Sequence, residues 1–108
     1  MRLATALLAA CGLLASLPVL AQGQGRQVGR EVYESVCIAC HASENVMVSS
    51  PKLGDSKEWQ QRMARAGGLD GLVRNAVQGV GAMPARGGKP ELDASQLKAA
   101  IRYMMQAD

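Results

Sequence analysis

The chain has 108 residues, 48% of them hydrophobic but only 3% aromatic, with no Phe, one Trp and two Tyr. Twelve Lys and Arg against nine Asp and Glu leave a net charge of +3, too small to argue for a nucleic acid partner. The length suits one small domain with a thin core of its own, so added apolar bulk from a staple or bound group is expected.

At the N-terminus, Arg2 precedes an uncharged run from Leu3 to Leu20 that ends in Val19-Leu20-Ala21. This is the pattern of a secretory signal peptide cleaved after Ala21. It divides the chain into a leader at 1–21 and a domain at 22–108, and it places the domain in the periplasm. A retained membrane anchor is the alternative. The run is near the lower length for a spanning helix, and Gly12 and Pro18 weaken it. A lipid on Cys11 would tether the domain, but the apolar run continues past that residue. Membrane contact is expected only through a lipidated Cys11 or an uncleaved anchor.

Gln22 to Arg26 is rich in Gly and Gln and is expected to fray. Gln27 to Cys37 reads as a helix, with Val28, Val32 and Val36 on one face and Gly29 and Tyr33 beside it. Ala42 to Ser56 has little periodicity and reads as a loop. Asp55 and Glu58 form a capping-box pair ahead of a helix carrying Trp59, Met63 and Ala66, which Gly67-Gly68 ends. A third helix starts near Asp70, with Leu69, Leu72, Val73, Ala76 and Val77 forming an apolar face, and stops at Gly79. Gly79 to Pro90 is a Gly- and Pro-rich loop. Asp93 and Gln96 repeat the cap pattern before a last helix that buries Leu97, Ala100, Ile101 and Met104. No stretch alternates with period two, so an all-α fold of about four helices is expected.

Cys37-Ile38-Ala39-Cys40-His41 is the Cys-x-x-Cys-His pattern of covalent haem attachment. The paired thiols can add to the two vinyl groups of a porphyrin, and the adjacent imidazole can bind the iron. A thiol–disulfide site is the rival reading. However, the pair ends a predicted helix, where the dipole disfavours a thiolate. Structural zinc wants four Cys or His ligands, and the domain after Ala21 holds only Cys37, Cys40 and His41.

His41 is the single histidine, so a second histidine ligand from this chain is impossible. Among the methionines, Met63 and Met104 fall on apolar helical stripes, Met105 adjoins the second, and Met47 follows the haem motif too closely. Met83 sits in the glycine-rich loop before Pro84 and is the candidate for the sixth iron position.

The domain resembles a class I cytochrome c, and within that group the cytochrome c5 branch. The resemblance rests on Gly29-x-x-x-Tyr33, Cys37-x-x-Cys40-His41, Pro51-Lys52-x-Gly54-Asp55, Trp59, Ala82-Met83-Pro84, Gly87-Gly88 and Ala99-Ala100-x-x-Tyr103-Met104. It implies a small helical fold wrapped around one covalent haem c, with the first and last helices crossing at Gly29 and Tyr33. It implies that the Pro51 carbonyl accepts a hydrogen bond from the proximal imidazole, and that Trp59 lies near a haem propionate. Many members of the branch carry a second cysteine pair after the Gly-Gly of the Met loop. Gly87-Gly88-Lys89-Pro90-Glu91-Leu92 has none.

A His41/Met83-ligated haem with both axial positions filled carries electrons and does not bind substrate, so a monomeric carrier that is not an enzyme is expected. Its donor and acceptor are other redox proteins. Arg62, Arg65, Arg74, Arg86 and Lys89 are expected to steer an acidic docking surface. Two alternatives stand beside this: a small haem subunit of a periplasmic dehydrogenase, and a haem enzyme or sensor with an open sixth site.

Overall fold

One helical track runs unbroken from Leu17 to His41: α1 (Leu17–Val32), a π-helical turn (Tyr33–Cys37) and α2 (Ile38–His41). The computed structural model describes residues 3–12 and 17–106, so the leader expected at 1–21 lies partly outside the described residues. Gln22 to Arg26, expected to fray, is helical. Pro18 lies in the first turn, where its missing N–H costs little. Leu20, Ala21, Gln22, Gln24 and Arg26 are good helix formers that outweigh Gly23 and Gly25. The widened turn at Tyr33–Cys37 leads directly into the two cysteines, a distortion often found beside functional sites.

The remaining helices are α3 (Ser56–Ala66), α4 (Leu69–Gln78) and α5 (Ala94–Gln106), with a short 3₁₀ turn at Ala85–Gly88. Among the described residues there is no strand, and no helix is long and apolar enough to cross a membrane. The caps expected from sequence set the helix starts. Asp55 Oδ1 accepts from the Glu58 N–H at 3.1 Å. The Glu58 carboxylate does not return the bond; it accepts from Arg62 Nε at 2.8 Å. At α5 the exchange is complete, with Asp93 and Gln96 bonding each other's backbone N–H at 2.8 and 2.9 Å.

α1 crosses α5 at Gly29. A Cβ there would stand 2.2 Å from the Ala99 carbonyl oxygen, so only glycine permits this approach. One turn on, Tyr33 packs on Tyr103 with ring centroids 5.5 Å apart. Val28, which sequence periodicity had placed on the buried face, is 39% exposed, while Val32 one turn on is buried. Val32, Tyr33, Leu72, Val73, Ala76, Leu92, Leu97, Ala100, Ile101 and Met104 form the core with Trp59.

Candidate functional site

A helix ordinarily leaves its last four carbonyls without partners. At the end of α2 the following loop supplies all of them. Ile38 O accepts from the Ala42 N–H at 3.3 Å, and His41 O from the Leu53 N–H at 2.8 Å. Ala39 O accepts from the Asn45 side-chain amide at 2.8 Å. Cys40 O accepts from the Ser50 hydroxyl at 2.7 Å and from the Lys52 ammonium at 3.1 Å. The Asn45 side-chain oxygen meanwhile accepts from the Met47 and Val48 N–H groups at 2.9 and 3.2 Å. The turn bearing both cysteines and the histidine is therefore closed by the irregular segment from Ala42 to Asp55.

That segment also orients the imidazole. His41 is buried, and its Nδ1–H donates to the Pro51 carbonyl oxygen at 2.7 Å. A carbonyl can only accept, so Nδ1 carries the proton and Nε2 is the bare nitrogen. Burial holds the imidazole below its ordinary pKa against the pull of that bond, and the charges of Lys52 and Arg62 add to the effect. The ring is a neutral, fixed donor of the kind metal centres use.

Trp59 stacks on His41 with centroids 5.8 Å apart and planes at 20°. Its indole N–H, expected to face a propionate, donates instead to the Lys52 carbonyl at 2.9 Å. Trp59 is 3% exposed, and its ring buttresses the imidazole.

A cavity of about 430 Å³ opens beside this group, within the range typical of cofactor sites. Cys37, Cys40, His41, Pro51, Trp59 and Met83 all line it. The six residues singled out from sequence, spread from the first helical track to the last loop, thus line one cavity. Leu72 and Ala76 of α4, and Leu97, Ala100 and Ile101 of α5, make the walls apolar. Met104, assigned to core packing, also reaches the cavity.

The cysteines are unpaired. Burial pushes the Cys37 thiol up to about 11, so it is not the activated thiolate that disulfide exchange requires. Among the described residues no group of three or more His, Cys, Asp or Glu is placed to hold a metal ion.

Met83 is half-buried and closes a tight turn by a two-way backbone pair with Val80, at 2.9 and 3.0 Å. Downstream, Arg86 takes a left-handed backbone with φ 57°, a conformation that costs of order 1–3 kcal/mol for a non-glycine residue. Its guanidinium donates to the Leu92 carbonyl and holds the loop in that shape. Gly87 follows at φ 66°, and a Cβ there would press on Val36 at 2.9 Å. The Met83 loop is thereby seated against the helical track that carries the cysteines.

Of the cations expected to face a partner, Arg62 is tied to Glu58 and Arg86 to the Leu92 carbonyl. Arg65, Arg74 and Lys89 are exposed. Sequence reasoning missed Lys52, whose ammonium also donates to Val48 O at 2.6 Å and Ser50 Oγ at 2.9 Å. Its position after Pro51 was visible, but nothing local says where a long side chain turns.

The family model described as cytochrome c oxidase, cbb3-type, subunit III, matches residues 25–104. Cytochrome c5 of Azotobacter vinelandii is 39% identical over 82 residues, which span 76% of this chain and 96% of that protein. Cytochrome c-555 of Chlorobaculum thiosulfatiphilum is 35% identical over 81 residues, 71% of this chain and 90% of that protein. Among solved structures, one titled as the electron transfer complex of nitrite reductase with cytochrome c contains a chain 42% identical to this one. It matches with a TM-score of 0.61 over 72% of this chain and 90% of that chain.

Proposed function

This chain belongs to the class I cytochrome c family, in its cytochrome c5-like branch, and we propose that it carries single electrons through a haem held by Cys37, Cys40, His41 and Met83. As in its relatives, the cofactor is one covalent haem c, and the protein is an electron carrier, not an enzyme. When bound, the haem supplies a one-electron iron couple inside an apolar shell.

The chain's own residues fit that group. Two free thiols, a neutral imidazole and a thioether line one cavity whose other walls are largely aliphatic. Cys37 and Cys40 would hold the ring by thioether bonds. His41 would supply a nitrogen to the iron, with the Pro51 carbonyl keeping it in the correct tautomer and strengthening it as a donor. Trp59 packs that imidazole. Met83 would supply a thioether sulfur, which favours reduced iron relative to a second imidazole.

The observation that carries this reading is the His41–Pro51 bond beside a cavity that Met83 also lines. The intact mass of the acid-denatured protein tests the attachment. It should exceed the apoprotein mass by one haem, and replacing both Cys37 and Cys40 by Ala should abolish the increment. Haem released by acid extraction of the unaltered protein would refute it.

We further infer that residues 1–21 are an export leader and that the domain works in the periplasm, possessing the signal pattern of Arg2 to Ala21. Its partners are redox proteins. The solved relative was captured with a nitrite reductase. For this chain a transient acidic surface facing Arg65, Arg74 and Lys89 is the corresponding arrangement, with the domain acting as a monomer.

A further inference from the structure

We propose that Lys52 is a fixed proximal cation that raises the reduction potential of the bound haem, a role that rests on the His41-ligated reading above. The side chain is held in one place. Its ammonium donates to Val48 O at 2.6 Å, Ser50 Oγ at 2.9 Å and Cys40 O at 3.1 Å. Its backbone is equally committed. The Pro51–Lys52 peptide carries the carbonyl that binds His41 Nδ1, and the Lys52 carbonyl accepts the Trp59 indole. Lys52 is thus built into the loop that presents the proximal ligand.

The charge is also uncompensated. All its acceptors are neutral oxygens, and Lys52 is in none of the ion pairs among the described residues. Arg62, which also acts on His41, is neutralised locally by Glu58 at 2.8 Å. Lys52 is partly buried, where a charge is screened less than in bulk water. A unit positive charge so placed opposes the extra positive charge of oxidised iron and favours the reduced state. At the effective dielectric of a protein near its surface, one such charge is worth roughly three- to tenfold in the reduced-to-oxidised ratio.

A purely structural role is a different idea. Lys52 also caps α2, and loss of a cap costs stability without moving the potential. The two are separated by redox titration of the haem-loaded protein in parallel with denaturant unfolding. Lys52→Met removes charge and donors. Lys52→Gln removes the charge but keeps two donors, and it carries the test if the Met variant does not accumulate haem protein. Both should move the ratio about three- to tenfold toward oxidised iron, tenfold being about 59 mV for one electron. Lys52→Arg should restore most of it. Lys57→Met, which removes an exposed charge on α3, should stay within about twofold.

A Lys52→Gln protein with an unaltered far-red sulfur–iron band and an unchanged ratio overturns the proposal and leaves the ligand reading standing. Absence of that band from the unaltered protein overturns the ligand reading instead.

Discussion

The Nδ1 of His41 lies 2.7 Å from the carbonyl oxygen of Pro51. The bond joins the end of the helical track to the loop that follows it, and it leaves Nε2 free for iron. The same loop closes the carbonyls of Ala39, Cys40 and His41 through Asn45, Ser50, Lys52 and Leu53. Asn45→Ala removes the bond to Ala39 O and the two that its side-chain oxygen accepts from the Met47 and Val48 N–H groups. It should cost roughly 0.5–1.5 kcal/mol in denaturant unfolding of the haem protein, since the bonds to Ala39 and Met47 lie exposed and water takes their place. The Soret spectrum should be unchanged, because none of the ligands moves.

At the helix crossing the expectation is larger. Gly29→Val places a branched side chain where even a Cβ would stand 2.2 Å from Ala99 O. The two helices must separate, and a loss of about 3 kcal/mol or more is expected, at the top of the overpacking range. Thermal or urea unfolding followed at the haem band measures it.

Two methionines reach the cavity, and their roles separate by substitution. Met104 is 3% exposed and packs with the core on α5. Met104→Ala should lower stability by about 2–5 kcal/mol and keep the far-red band of the oxidised protein. If that band vanished on this substitution alone, Met104 would be the ligand.

Partner docking should depend on salt. Reversing the charge of the exposed Arg74 or Lys89 should slow association with an acidic redox partner several-fold at low ionic strength. The difference should disappear as the Debye length shrinks toward ~3 Å at 1 M salt. Stopped-flow rates across a salt series report this, and rates independent of salt for the unaltered protein would contradict steering.

Much of the site was legible in the chain because its parts are local. Cys37, Cys40 and His41 are adjacent, and Met83 stands alone in a loop of glycines and proline. The caps at Asp55 and Asp93 and the close approach at Gly29 were readable for the same reason. What escaped notice depends on where long or bifunctional side chains turn after the chain folds. Lys52 folds back on Cys40 O, and Trp59 gives its N–H to Lys52 O, not to an outside acceptor. Glu58 prefers Arg62 over the cap it was expected to complete. Val28 shows the limit of periodicity: it is 39% exposed although Val32, one turn on in the same stripe, is buried in the core.

The central claim is a His41/Met83-ligated haem, and the far-red absorption spectrum of the oxidised protein tests it most directly. A low-spin spectrum with the sulfur-to-iron charge-transfer band, lost on Met83→Ala, is the expected result. A high-spin spectrum without that band, or a band that survives in Met83→Ala, would contradict the account.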